Sequence, residues 1–152
     1  DSHEFEVEVV DIRPQAERKM LRVSAEVPDR LPLVLMDASR IGQVLLNLIT
    51  NAIHAMATTD EPRVLTVGSE ASAEGGVLIW VADTGPGVAP HDANRVFNPL
   101  FTTKPEGMGM GLAICRSIVE AHDGRLWVTS NTPQGAIFHF TLNVESTLTI
   151  ST

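Results

Sequence analysis

Apolar residues at Ile41, Val44, Leu45, Leu48, Ala52, Ala55 and Met56 recur at intervals of three and four. That spacing predicts a helix over Asp37–Ala57 with one buried face, and Asp37 or Ser39 can cap its start. Val64–Gly68 and Val77–Ala82 read as strands, the second nearly all apolar and therefore central in its sheet. A second helical pattern runs through Leu112, Ile114, Cys115, Ile118, Val119 and His122, with Gly124 placed to stop it. Leu126–Ser130 and Ile137–Leu142 form a final pair of strands. Upstream, Leu21–Val27 alternates as a strand and is followed by a Pro-Asp turn and a short apolar run, Leu33–Met36. The opening stretch sends two signals. Phe5, Val7 and Val9 alternate with acids as a strand does, Ala16–Met20 has a helical look, and Pro14 interrupts either reading. Strands interspersed with helices predict an α/β sandwich, one sheet covered by helices on a single face.

Between Asp83 and Gly111 the chain is punctuated by Gly and Pro, with room only for a short helix near Pro90–Val96. A loop this long in a compact domain is usually functional or disordered, so candidate chemistry is sought there and on the surfaces facing it. The whole chain, residues 1–152, fits one domain with its own core. Hydrophobic residues at 43% and charged residues at 20% suit a globular protein rather than a disordered one. No apolar run nears the roughly 20 residues of a membrane span, and no signal-peptide pattern opens the chain. No direct membrane contact is expected. Cys115 has no second cysteine to pair with, which excludes disulfides and thiolate metal sites and points to a reducing cytoplasm. A net charge of −8 disfavours nucleic acid as a partner. A small anion remains possible, at a local site of backbone N–H groups, a metal or a few cations.

Three constellations meet that condition. On the long helix, at roughly 100° per residue, Gln43, Asn47, Asn51 and His54 fall within a stripe about 80° wide beside the apolar face. This reads equally as the polar side of the helix or as a functional surface, since amides replace the usual Lys and Glu and Asn is a poor helix former. The amide oxygen of Asn51 suits Mg²⁺ shared with substrate phosphates, and His54 is placed to touch a phosphate. Asp83-Thr84-Gly85-Pro86-Gly87 follows the apolar strand. Taken singly this is more often an Asx-type turn. The functional alternative has Asp83 accepting a hydrogen bond from an exocyclic amine such as adenine's, with Gly85 and Gly87 letting the base approach the backbone. Gly107-Met108-Gly109-Met110-Gly111-Leu112 opens the last helix, where exposed N–H groups favour anions. It is neither a Rossmann turn, because no strand immediately precedes it, nor a Walker loop, because no Gly-Lys-Ser/Thr occurs. Lys104, just before the glycines, is a candidate phosphate contact or an ordinary solvated lysine.

In this order the motifs resemble the catalytic domain of sensor histidine kinases, within the ATP-binding superfamily that includes gyrase, Hsp90 and MutL-type proteins. The resemblance covers about Leu31 to Leu142. Asp37 through Ala52 is similar to that family's asparagine box and Asp83–Val88 to its first glycine box. Phe97-Asn98-Pro99-Leu100-Phe101-Thr102-Thr103-Lys104 resembles its phenylalanine box, in the variant of nitrogen-fixation and PAS-linked sensors, and Gly107–Leu112 its second glycine box. The resemblance implies an α+β two-layer sandwich, with a mixed, mostly antiparallel sheet under about three helices and a mobile ATP lid over 97–110. It favours a helix for the N-terminal segment 1–20 and leaves 144–152 as a tail. ATP and Mg²⁺ are the implied cofactors. Asn51 would hold the metal, and Asn47, His54 and Lys104 would act in catalysis. Asp83, Gly85, Gly87, Val88, Thr102, Thr103, Lys104, Gly107, Gly109, Gly111 and Leu112 would complete the nucleotide site with Asn51, while Phe97 and Phe101 would anchor the lid.

Two departures stand out. The third glycine box usually supplies a threonine, where Gly135-Ala136-Ile137-Phe138 supplies no hydroxyl. Asp123 stands where the family often has glycine. The implied activity is phosphoryl transfer to a histidine on a separate dimerisation domain of the same parent protein, and from there to a response regulator receiver domain. His3-Glu4-Phe5 only partly resembles the acceptor motif, because Glu6 replaces its basic or amide residue. The chain alone is therefore expected to bind ATP as a monomer without phosphorylating itself, its parent being a homodimer. His91, His122 and His139 lack motif context and are expected to be structural or surface residues. A hydrolytic ATPase of the gyrase kind would need a general-base glutamate where Asn47 stands. A regulatory nucleotide-binding module without catalysis is the third possibility.

Overall fold

The computed structural model describes residues 2–10, 20–28, 36–57, 59–60, 62–73, 75–99 and 111–143. The Leu33–Leu35 part of the short apolar run, the segment 100–110 and the tail 144–152 lie outside them. Six strands form one sheet: β1 (Ser2–Val10), β2 (Met20–Pro28), β3 (Val64–Ala71), β4 (Val77–Ala82), β5 (Leu126–Ser130) and β6 (Ala136–Leu142). Their order is β1-β2-β3-β4-β6-β5. The β2–β3 pair is parallel and the others antiparallel, so the sheet is mixed and mostly antiparallel as the resemblance implies. β4 lies between β3 and β6, which agrees with its apolar sequence.

The opening segment corrects the helix that the resemblance favoured. Ser2–Val10 is a strand, paired antiparallel with β2 from Ser2↔Pro28 to Val10↔Met20. The alternation of Phe5, Val7 and Val9 has the two-residue period of a pleated strand, and β2 offers a partner ladder for its backbone groups. Here local periodicity outweighs family expectation.

Helix α1 (Ala38–Met56) buries Ile41, Val44, Leu48, Ala52 and Met56, the face marked by its three-and-four spacing. Its N-cap is Asp37, whose carboxylate accepts from the Arg40 N–H at 3.2 Å. Helix α2 (Gly111–Ala121) buries Cys115, Ile118 and Val119. The two helices pack on each other and on one face of the sheet, α1 over β3 and β4 and α2 over β5 and β6. Among the described residues, the short helix expected near Pro90–Val96 is two 3₁₀ turns, Pro90–Asp92 and Arg95–Phe97. Leu48, Phe138, Phe140, Ile118 and Val119 meet in the single core between the layers. Truncating such a residue to alanine typically removes about 2–5 kcal/mol.

The end of α2 departs from its expected stop signal. Asp123, not Gly124, takes the left-handed conformation (φ 61°) that ends the helix. Gly124 is required for another reason, since a Cβ there would sit 1.9 Å from the Thr141 carbonyl oxygen on β6. His122 is structural. Its Nδ1 lies 2.8 Å from the Ile118 carbonyl, and its Nε2 accepts from the Asp37 N–H at 3.0 Å, tying the end of α2 to the start of α1. His139, on the opposite face of the sheet, stacks on Trp127 with 5.0 Å between ring centroids, and Arg125 lies over the same Trp127 ring.

Candidate functional site

β4 delivers Asp83 to the edge of the helical layer. Its side chain is 1% exposed. A carboxylate buried this deeply is tolerated only with hydrogen-bond donors around it. Oδ1 accepts the N–H of Gly85 at 2.8 Å and that of Ala136 at 3.3 Å. The Asp83 N–H in turn donates to the Ala136 carbonyl at 2.9 Å. The carboxylate is therefore oriented by backbone from its own loop and from the first residue of β6.

The residues that follow join this loop to the end of α1. A Cβ on Gly85 would lie 3.0 Å from the Ala55 carbonyl oxygen, so loop and helix touch through backbone. The Thr84 N–H and hydroxyl each lie 3.4 Å from Met56 Sδ. The same hydroxyl accepts the Val64 N–H at 3.0 Å and lies 3.2 Å from the Pro62 carbonyl. Arg63, buried beneath, donates from Nε to the Met56 carbonyl at 3.0 Å and from its guanidinium to the Thr59 carbonyl. The Met56 carbonyl, which also accepts the Thr59 N–H at 3.2 Å and the Thr59 hydroxyl at 2.9 Å, lies at the C-terminus of α1, where a cation is favoured.

Asn51 stands one helical turn before Ala55, and His54 is its immediate neighbour. Asn51 is half-buried and His54 exposed. One turn earlier, half-buried Asn47 lies near enough to Cys115 of α2 to favour its thiolate. The Cys115 thiol also lies 3.8 Å from the Val44 carbonyl. Burial pushes this thiol up from its ordinary 9.0 to about 11, against smaller opposing effects from the Asn47 hydrogen bond and a backbone hydrogen bond. The amide stripe thus runs between two fixed points, the Asp83 loop at Ala55–Met56 and α2 at Val44–Asn47. Gly111 and Leu112 open α2, and Leu112 packs against the core.

Gly87 has φ +83°, and a Cβ there would come within 2.9 Å of the Gly135 carbonyl oxygen. Val88 packs against the core. Phe97 is buried, edge-to-face with Phe138 at 6.0 Å, with the Arg116 guanidinium 5.7 Å above its ring. Phe101, Thr102, Thr103, Lys104, Gly107 and Gly109 lie outside the described residues.

The turn between β5 and β6 is a participant that sequence reasoning passed over. Asn131 Nδ2 donates to the Asp83 carbonyl at 2.7 Å, and Gln134 Nε2 donates to the Thr84 carbonyl at 3.0 Å. Two amides in a surface turn carry no signal by themselves. The adjoining Gly135-Ala136 hints at a contact only through its missing hydroxyl. An open groove also runs between this turn and Pro86–Pro90. Asn47, Asn51 and Asp83 do not line it.

Fold and site together define an α+β sandwich in which the loop that opens at Asp83, after β4, abuts the C-terminal end of the amide-bearing helix. Residues 36–146 match the family described as "Histidine kinase-, DNA gyrase B-, and HSP90-like ATPase". The chain is similar to the sensor protein TdiS of Thauera aromatica, with 42% identity over 129 residues, 84% of this chain and 24% of that protein. It is 47% identical to the sensor protein FixL of Bradyrhizobium diazoefficiens over 110 residues, 72% of this chain and 22% of FixL. Among solved structures it resembles full-length ShkA in complex with AMPPNP (TM-score 0.69, 33% identity, covering 83% of this chain and 27% of that one). It also resembles the catalytic domain of the histidine kinase ThkA (TM-score 0.63, 34% identity, covering 80% of this chain and 72% of that one). The chain belongs to this ATPase family, as a catalytic domain of the sensor histidine kinase type. It spans about a quarter of the length of TdiS and FixL.

Proposed function

We propose that this domain binds ATP with Mg²⁺ in the cleft beside α1 and presents the γ-phosphate to a histidine on a separate dimerisation and phosphoacceptor domain of its parent protein. An aspartate of a response regulator would then receive the phosphoryl group. The observation that carries this reading is the Asp83 carboxylate, buried and held by backbone N–H groups beside the helix end that bears Asn51 and His54. A carboxylate fixed in this way is suited to accept from the exocyclic amine of adenine. ShkA, solved with AMPPNP, supports an adenine nucleotide as the ligand class. ThkA, solved in complex with the response regulator protein TrrA, supports the receiver-domain step.

The donor chemistry fits Mg²⁺ in a particular way. Among the described residues there is no group of three or more His, Cys, Asp or Glu able to hold an ion. The half-buried Asn51 amide offers one hard oxygen ligand, which suits a metal that keeps its waters and shares the phosphates. When bound, the ion neutralises charge on the transferring phosphoryl group. Asn47, one turn before Asn51 and near Cys115 of α2, would support the metal ligand. His54 lies toward the phosphates from the exposed side. By the family resemblance, Thr102, Thr103, Lys104, Gly107, Gly109, Gly111 and Leu112 would complete the phosphate end. Asn47 cannot take a proton from water, so transfer to a histidine is favoured over hydrolysis.

Calorimetric titration with Mg·AMPPNP, followed by mixing with a separately made phosphoacceptor domain and radiolabelled ATP, tests the proposal. Nucleotide binding and label on the acceptor histidine are expected. Binding without label would favour a regulatory module, steady phosphate release would favour an ATPase, and no binding heat would remove the reading altogether.

A further inference from the structure

We infer that Asn131 and Gln134, on the turn between β5 and β6, are positioning residues that set the nucleotide-base preference of the cleft. They would act by holding the backbone of Asp83 and Thr84. This deepens the proposed function and rests on it, since the contact to be positioned is that of Asp83 with adenine.

The usual third glycine box contributes a threonine hydroxyl near the base, and Ala136 has none to give. The structure uses the same stretch differently. Ala136 exchanges hydrogen bonds with Asp83, its N–H going to the carboxylate and its carbonyl accepting the Asp83 N–H at 2.9 Å. The turn is then clasped at two further points, Asn131 Nδ2 on the Asp83 carbonyl and Gln134 Nε2 on the Thr84 carbonyl. It cannot stand off from the loop. Gly135 is at φ +118°, and a Cβ there would fall 1.9 Å from the Asp83 carbonyl oxygen. Asn131 also steadies its own turn, accepting the Thr132 N–H on Oδ1 at 2.9 Å while its backbone N–H donates to the Gly135 carbonyl at 3.0 Å. The amide is therefore aimed, with its NH₂ end at Asp83 and its oxygen occupied elsewhere.

The consequence is directional. Asp83 and Thr84 lead into Gly85, whose N–H is one of the donors that orient the carboxylate. A shift of the Asp83–Thr84 peptide would rotate both the carboxylate and that donor. An adenine amine presents a donor to the carboxylate, whereas guanine presents a carbonyl at the corresponding position, so discrimination depends on that orientation. A site built around a hydrogen bond rejects the analogue that cannot make it much more strongly than apolar pockets reject a missing methylene. Loosening the clasp should therefore lower discrimination between bases more than it lowers affinity for the triphosphate.

The test measures the affinities of ATP, GTP and inorganic triphosphate, each with Mg²⁺, for the unmodified chain and for Asn131→Asp, Asn131→Ala, Gln134→Ala and Asp83→Asn. Asn131→Asp sets an acceptor against the Asp83 carbonyl and should reduce the ATP-to-GTP preference about tenfold, while triphosphate affinity holds. Asn131→Ala should give a smaller loss in the same sense. Gln134→Ala, at an exposed position that leaves the fold intact, should reduce the preference about twofold to fivefold. Equal loss for all three ligands, or an unchanged preference in the Asn131 and Gln134 variants, overturns the inference. If those variants keep the preference while Asp83→Asn abolishes it, the clasp fails but the proposed function stands. If the unmodified chain prefers no base, the proposed function fails first.

Discussion

Asp83 and Asn51 lie at the end of β4 and on α1, elements that pack against each other, but are built on opposite terms. Asp83 is 1% exposed, with N–H donors from Gly85 and Ala136 on its carboxylate and the Asn131 amide on its carbonyl. Asn51 and its neighbour His54 sit on a helix surface that is half-buried or open. One end is fixed before any ligand arrives, and the other can rearrange. Fixed dipoles suit the recognition of a small planar group, because no reorganisation is needed on binding. Open, solvated groups suit a triphosphate and a metal ion that retains part of its water shell. On the proposed function, rigidity would lie at the base end and adaptability at the phosphate end.

The contrast can be broken most forcefully at Gly135. Gly135→Ala places a side chain at φ +118° and against the Asp83 carbonyl, so a loss of about 3 kcal/mol in unfolding free energy is expected by urea denaturation. An unchanged midpoint would show that the turn is not locked onto the loop. Next comes Asp83→Asn, for which Mg·AMPPNP affinity should fall about 100-fold by calorimetry as a charged acceptor is lost from a buried site. A fall of less than threefold would mean that the buried carboxylate does not meet the ligand. A smaller change is expected at the open end. Asn51→Ala should weaken binding about tenfold with Mg²⁺ present and leave Mg²⁺-free binding nearly unchanged, because solvent and phosphates remain to hold the ion. Equal losses with and without Mg²⁺ would make Asn51 a base-end residue instead.

The smallest effect concerns the thiol that meets Asn47. Cys115 is raised from 9.0 to about 11 in the folded chain, chiefly by burial. Between those values the unfolded chain has released the proton and the folded chain has kept it. Stability from this group is therefore complete below pH 9 and declines as pH rises from 9 to about 11. Cys115→Ser should flatten that alkaline slope in denaturation curves. At pH 8 iodoacetamide should label the native thiol far more slowly than the unfolded one. Rapid native labelling would show that the joint between Asn47 and α2 opens readily.

Much of this was legible from residue order. The period of α1 gave its buried face, and the apolar run before Asp83 gave a central strand. The four boxes gave the family. The N-terminal segment was legible too, through the alternation of Phe5, Val7 and Val9, although the family resemblance pulled toward a helix. The clasp of Asn131 and Gln134 was not legible. Those residues are 48 and 50 positions from the carbonyls they hold, and amides in a turn look alike whether or not they reach anything. Asp123 was partly legible, since it stands where the family often has glycine at the helix end, and its left-handed backbone takes the role expected of Gly124.

By itself the sequence determined the elements, the covered face of the sheet and the residue types available for nucleotide chemistry. These follow from periodicity and composition, which act over a few residues. Only the tertiary structure decided that Ala136, Asn131 and Gln134 would orient Asp83, and that Ala55 and Met56 would abut the same loop. Each is a contact between segments far apart in the chain, fixed by how β4, β6 and α1 pack. Hydrogen bonds of that kind depend on distances of a few tenths of an ångström, which no local pattern encodes.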